Sequence, residues 1–422
     1  MLKMLHHKKI RQTAHNFLPL ISIASVALVV GGLLYTVPSR WSVGVARADP
    51  QATTTSPVTA PVVAHISTPV ALKGIYMSQC VVGTPSFRNK LVTFIDETAL
   101  NAVVIDIKDY TGRIAFTTDN PALKDSVSPA CGASDMKDFV ALLHAKNIYV
   151  IGRITVFQDP YYTTLHPEQA VQSAKIHPGH PWKDFKGLSF IDVSSRPYWD
   201  YVVALSKEAH DVVGFDELNY DYVRYPSDGP MSDARYVNPN KGEAVELFWA
   251  YLNQHVKPTG VVMSADLFGM TATNSDDLSI GQQLERALPY FDYVMPMVYP
   301  SHYPKNFRDL GNPNMHPYEV VNISMNVAVA RALATTTVVH TLSGIAIAST
   351  SPQLYTKDSF GASKIRPWLQ DFNYGKDYLP IDIAAQIKAT TDAGLPSWIF
   401  WDAGNKYSSL RQVLAQSPVA EQ

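Results

Sequence analysis

GFDELNYDYVRYP, residues 214–226, is the stretch on which the reading of this chain turns. Acidic residues are poor strand formers, yet Asp216, Glu217 and Asp221 stand among Phe215, Leu218, Tyr220 and Val223 in the pattern of a strand. A strand sends successive side chains to opposite faces. Glu217, Asn219 and Asp221 therefore share one face, and Leu218, Tyr220 and Tyr222 the other. The apolar set suits a layer of helices, so the polar set must look into an enclosed interior. Asp216 falls on the outer face near the foot of the strand.

On both sides of this stretch the chain repeats one theme. Short apolar runs lie at 73–77 (KGIYM), 102–108 (AVVIDIK), 148–154 (IYVIGRI), 213–221, 261–266 (VVMSAD), 293–298 (YVMPMV), 365–370 (IRPWLQ) and 397–402 (SWIFWD). Helical patterns lie between them at 88–100, 134–147, 196–210, 239–257, 279–290, 317–334 and 381–393. Eight strands alternating with helices predict an α/β fold, the (β/α)8 TIM barrel. A doubly wound sheet would normally show a glycine-rich first turn, which is missing here. The barrel is expected over 71–415, with 335–362 read as an insertion ahead of the seventh strand.

The N-terminus adds a separate expectation. Lys3, Lys8, Lys9 and Arg11 precede an uncharged apolar run at 17–37, long enough to cross a bilayer at about 20 residues. Basic residues before such a run keep 1–16 on the cytoplasmic side. Ala46 and Ala48 also form the A-x-A pattern of a signal-peptide cleavage site. Residues 17–37 are thus expected to serve as a membrane anchor or as a removed signal core. Either way the barrel stands outside the cytoplasm, membrane-anchored or secreted. Residues 38–70, rich in Pro, Thr and Ala towards their end, read as a linker, and 416–422 as a short tail.

Composition narrows the chemistry. A formal charge of −2 over 422 residues argues against a nucleic-acid partner. Cys80 and Cys131 are not spaced as zinc ligands, and an exported location permits them to pair. There is no G-x-S-x-G elbow, no His pair on the first strand and no lysine on the sixth. No metal or cofactor is called for.

Barrel enzymes carry their reacting groups at the C-terminal ends of the strands. Asp221 lies at the end of the fourth, and Asp266, sharing parity with Ser264, at the end of the fifth. Neighbouring strands run about 4.8 Å apart. Two such acids can meet the carboxyl separations of glycosidases, about 5–5.5 Å when retaining and about 6.5–9.5 Å when inverting. Asp221 is expected as nucleophile or base and Asp266 as acid/base. Glu217, deeper in the lumen, is the reserve catalytic candidate, with a structural pairing to Arg153 as its competing role.

Asp106, Asp109, Arg153, Tyr222, Arg224, Tyr299, Trp368, Gln370, Asp371, Trp401 and Asp402 are expected to bind substrate at the same rim. Ion pairs Asp106–Lys108 and Asp221–Arg224, and a helix cap at Asp402, are the structural alternatives. Aromatic residues, Phe157, Tyr162 and Trp398 among them, crowd this end of the barrel and suit sugar rings, which makes a polysaccharide or oligosaccharide the expected partner. A carbohydrate-binding barrel without catalysis is the alternative function.

The segments KGIYMS, NAVVIDIKDYTGRIAF, GFDELNYDYVRYP, SADLFGM, DYVMPMVYPSHY and IRPWLQDFNYG occur in order over residues 72–405. They resemble a glycoside-hydrolase-like barrel family first catalogued as a domain of unknown function. The resemblance implies a (β/α)8 fold, export or membrane tethering, and action on polysaccharide at the cell envelope. It also singles out the Asp of DYVRYP, Asp221, as the leading catalytic candidate. Residues 335–362 depart from the family's compactness.

Overall fold

The computed structural model describes residues 63–415. The tail 1–16, the apolar run 17–37, most of the linker and the tail 416–422 lie outside the described residues. Among the described residues no helix is long and apolar enough to cross a membrane.

Eight parallel strands close a barrel: β1 (Lys73–Met77), β2 (Ala102–Lys108), β3 (Tyr149–Thr155), β4 (Glu217–Asp221), β5 (Val262–Phe268), β6 (Tyr293–Met297), β7 (Trp368–Gln370) and β8 (Trp398–Trp401). Each neighbours the next in sequence, and β8 pairs with β1. A helix follows each strand: α1 (Pro85–Asp96), α2 (Met136–Ala145), α3 (Arg196–Lys207), α4 (Lys241–Val256), α5 (Leu284–Ala287), α6 (Pro317–Leu333), α7 (Pro380–Asp392) and α8 (Ser408–Ala415).

Strand parity sorts the core into two parts. Leu218 and Tyr220 of β4 and Met263, Ala265 and Leu267 of β5 face outward, packed with Val202 and Leu205 of α3 and Phe248 and Leu252 of α4. Tyr76, Val104, Tyr149, Ile151, Met295 and Ile399 fill the lumen. The register makes Asp106, Arg153, Asn219 and Ser264 one continuous layer across β2 to β5. Asp221 and Asp266 stand two residues further along their strands, above that layer.

Three elements differ from the sequence expectation. β4 begins at Glu217 rather than 213, because the turn after α3 continues to Val213 and ends on Gly214 at φ 106°. The helix expected over 279–290 shrinks to the single turn of α5, since Leu278, Ser279 and Gly281 all take positive φ. Residues 335–362 form an excursion in which Thr336–Thr337 pairs antiparallel with Tyr355–Thr356. Leu342 N donates to Glu246 of α4 at 2.9 Å and ties the excursion down.

Asp216 is buried beneath the barrel and fully engaged. It accepts from Ile66 N at 2.8 Å and Val150 N at 2.9 Å, and His144 Nε2 lies 3.0 Å away. The incoming segment is thereby fixed at the foot of the barrel, away from the mouth. Cys80 and Cys131 form a disulfide with 4.5 Å between their Cα atoms, joining the turn after β1 to the loop after β2.

Candidate active site

At the C-terminal ends of the strands lies a cavity of about 350 Å³, lined by Arg153, Asp221, Tyr222, Arg224, Asp266, Phe268, Gly269, Met270, Met297, Tyr299, His302, Tyr303, Trp368 and Trp401. Its acidic end is organised by Arg153. One guanidinium nitrogen donates to Asp106 and another to Asp221, and Nε lies 3.7 Å from Asp266 Oδ2. Contact with one guanidinium keeps Asp221 and Asp266 within the roughly 9.5 Å upper limit of glycosidase carboxyl pairs.

The two acids have different surroundings. Asp221 faces the positive charge directly. Asp266 is sealed into the wall, where its Oδ1 accepts from Asn219 Nδ2 at 2.8 Å and from the Trp368 indole at 2.6 Å. Burial, followed by the negative charge of Asp221, pushes the Asp266 carboxyl well above the usual carboxylate range, and Arg153 only partly opposes this. With Oδ1 already accepting two hydrogen bonds, Oδ2 is the oxygen left to carry the proton. Asp106, bonded to Tyr76 and Arg153 behind the cavity, is also raised, chiefly by burial. Burial works against the charge of Arg153, but Asp106 and Asp221 more than offset it.

Beyond the acids the wall is aromatic. Tyr299 and Trp401 stack with ring centres 5.5 Å apart, and Phe372 meets Trp401 edge-on at 4.9 Å. His302 stacks on Tyr374 at 5.3 Å, and burial lowers its pKa. Gly269 must be glycine, since a Cβ there would lie 2.4 Å from Met297 O. Tyr222 takes φ 52° immediately after Asp221. That left-handed turn breaks the strand alternation and brings Tyr222 to the cavity rather than to the helical layer.

The structure brings together Asp221, Asp266, Arg153, Tyr222, Arg224, Tyr299, Trp368 and Trp401 from the expected set. It places the others elsewhere. Glu217 is wholly buried near the foot, accepting from Arg366 Nη1 at 2.8 and 3.0 Å and from the Tyr149 hydroxyl at 3.2 Å. Its partner is thus Arg366 and not Arg153, and it does not line the cavity.

Asp109 caps its own turn by accepting from Thr111 N at 2.9 Å. Asp402 accepts from the backbone N–H groups of Gly404, Lys406 and Tyr407 ahead of α8, a capping role. Asp371 accepts from Leu410 N of α8 at 3.2 Å. Gln370 accepts from the Ser301 hydroxyl at 3.0 Å and donates to Phe372 O, bracing two mouth loops. Lys108 pairs with Asp159 at 2.9 Å rather than with Asp106, and Asp221 pairs with Arg153 rather than with Arg224.

Sequence reading missed Arg366, whose parity with Trp368 and Gln370 in IRPWLQ marks it as inward-facing. It also missed His302, Met270 and Met297 in the wall, which carry no spacing signal of their own. Of the aromatic residues expected at the rim, Phe157, Tyr162 and Trp398 are core.

An eight-stranded barrel with acids converging at its C-terminal mouth defines the chain as a TIM-barrel protein of glycosidase-like architecture. Residues 74–407 match the family described as "Putative glycosyl hydrolase domain", and the chain belongs to that family. Solved structures that it resembles include the PgaB (BpsB) glycoside hydrolase domain from Bordetella bronchiseptica, at 14% identity and TM-score 0.53, covering 82% of this chain and 99% of that one. Alpha-L-fucosidase isoenzyme 2 from Paenibacillus thiaminolyticus is similar at 10% identity and TM-score 0.52, covering 81% of this chain and 48% of that one. A hypothetical protein from Ruminiclostridium thermocellum is 29% identical over 49% of this chain and 98% of its own, with a TM-score of 0.41. The first two likenesses establish the shared barrel. No curated protein matches the chain.

Proposed function

We propose that the protein is a glycoside hydrolase that cuts an envelope or extracellular polysaccharide with Asp221 and Asp266. The observation that carries this reading is the opposed setting of two acids on one cavity: Asp221 bonded to a guanidinium, Asp266 buried and held towards its neutral form. Glycoside hydrolysis needs that combination, one carboxylate and one carboxylic acid flanking the same bond.

Asp266 gives its proton to the leaving glycosidic oxygen as the C–O bond breaks. Asp221 meets the electron-poor anomeric carbon, either bonding to it or taking a proton from the water that does. Where Asp221 bonds to the sugar, Asp266 takes a proton from an incoming water whose oxygen displaces Asp221 from the anomeric carbon, which regenerates both acids. Where water attacks directly, Asp221 releases its proton to solvent and solvent reloads Asp266. Arg153 bonds and orients Asp221, and the Tyr299–Trp401 stack offers flat apolar faces to sugar rings. Family membership supports the reaction class. The apolar run 17–37 and the linker after it support display outside the cytoplasm.

Incubation with envelope and extracellular polysaccharides should generate new reducing ends with the wild-type protein and none with Asp221→Asn. Retained polysaccharide binding with no cleavage by the wild type would replace this reading with a carbohydrate-binding barrel.

A further inference from the structure

Arginine is an expensive residue to bury, because a guanidinium removed from water must recover its hydration from a partner. This chain respects that rule at five positions. Arg88 pairs with Asp135, Arg153 with Asp106 and Asp221, Arg286 with Glu246, Arg331 with Glu285, and Arg366 with Glu217. Arg224 breaks it. It is 6% exposed, yet among the described residues no carboxylate forms an ion pair with it.

Its contacts show which part of it is free. Nη1 donates to Tyr225 O at 2.9 Å and to the Ser227 hydroxyl at 3.1 Å. The guanidinium carbon lies 4.6 Å from the Tyr222 ring centre and 4.7 Å from that of Phe268, so aromatic rings flank the group. Nε and Nη2 make no close hydrogen bond among the described residues, where the Tyr222 side chain and the charges of Asp221 and Asp184 act on the cation from further off, and they are not among the sealed, unsatisfied atoms. Arg224 lines the cavity that holds Asp221 and Asp266, and with Nη1 engaged the Nε–Nη2 edge is the part of it left to meet a bound group. Two parallel N–H donors are the fork that a carboxylate, phosphate or sulfate accepts in bidentate fashion.

We propose that Arg224 receives an oxyanion carried by the substrate, so that the polysaccharide is acidic close to the bond placed over Asp221 and Asp266. The inference rests on the hydrolase reading for the position of that bond, but the binding role of Arg224 can be measured without it. An acidic sugar supplies the direct ion pair that Arg224 does not form with any carboxylate among the described residues. A neutral sugar would leave the guanidinium desolvated and unpaired, a penalty that discriminates against it.

The test is calorimetric titration of the full chain with oligoglucuronides, a sulfated oligosaccharide and a phosphorylated oligosaccharide, each beside its neutral parent. Arg224→Gln and Arg224→Lys are titrated in parallel, with thermal melts to confirm folding. At least one anionic probe should bind the wild type about 10- to 100-fold more tightly than its parent, the range for a charge-assisted bidentate contact. The rank among the three identifies the oxyanion.

Arg224→Gln should erase that preference, weakening the anionic probes and lifting the penalty on their neutral parents. Arg224→Lys, which keeps the charge but loses the fork, should keep only part of it. The proposal fails if no anionic probe outbinds its parent, or if the preference survives in folded Arg224→Gln. Cleavage of neutral polysaccharides with no acidic preference would leave the hydrolase reading standing and remove this one. Acidic preference in a protein that cleaves nothing would do the reverse.

Discussion

Asp221 and Asp266 project from neighbouring strands to a single guanidinium, that of Arg153, which bonds the first directly and lies 3.7 Å from the second. With Asp106, three carboxyl groups surround one positive charge. Crowding of carboxyl groups in a site shielded from water works against ionisation, most of all at the group with the least solvation. That group is Asp266.

Asp221→Asn should lower turnover by at least about 10³-fold, since no other carboxylate on the cavity stands in the same place. Arg153 keeps its bond to Asp106 in the variant, so the thermal melt should stay close to wild type. Turnover near wild type on a cleaved polysaccharide would remove Asp221 from the reaction.

Asp266→Asn should spare substrates that need no acid. On polysaccharide the loss should be about 10²–10⁴-fold, the usual worth of a positioned general acid. On an aryl glycoside with a good leaving group the bond-breaking step should be nearly unaffected. The wild-type rate should fall as pH rises through the raised Asp266 pKa, because the neutral form is the working one. That basic limb should vanish in Asp266→Asn, and its persistence would assign the acid to another group.

Much of this was legible in the sequence, for definite reasons. The alternation in ELNYD placed Glu217, Asn219 and Asp221 inward, and SAD did the same for Ser264 and Asp266, because parity survives wherever a strand is regular. It failed at Tyr222, where a left-handed residue ends the regularity. Partners were harder to read than faces. Glu217 could be placed inward, but its mate Arg366 lies 149 positions away, and only barrel closure brings the two together. Asp109, Asp371 and Asp402 are indistinguishable in sequence from site acids. A strand end is also a loop start, and loops there need acceptors for the next helix.

Glu217→Gln separates fold from site. The change leaves Arg366 buried beside a neutral group, and breaking such a pair costs about 3–5 kcal/mol. Denaturant unfolding should register that loss, while the folded fraction keeps its turnover per molecule. A selective fall in turnover with unchanged stability would bring Glu217 back as a reacting residue.

Asp371 should govern part of the pH dependence of stability. Burial first, and the charge of Asp402 in addition, raises its pKa to about 7. In the unfolded chain the value returns to about 3.9. Between those values the native state holds a proton that the unfolded chain has released, so stability declines as pH climbs from about 4 to 7. Asp371→Asn, which keeps an acceptor for Leu410 N, should flatten that decline and raise stability above pH 7. An unchanged pH profile would show that Asp371 is ionised in the fold.

Infrared difference spectra at pH 7 test the division of labour between the two acids most directly. Comparison of wild type with Asp266→Asn should show loss of one protonated-carboxyl C=O band, and comparison with Asp221→Asn should show loss of an ionised carboxylate band. The reverse pattern, or a carboxylate band lost in both variants, would contradict the account.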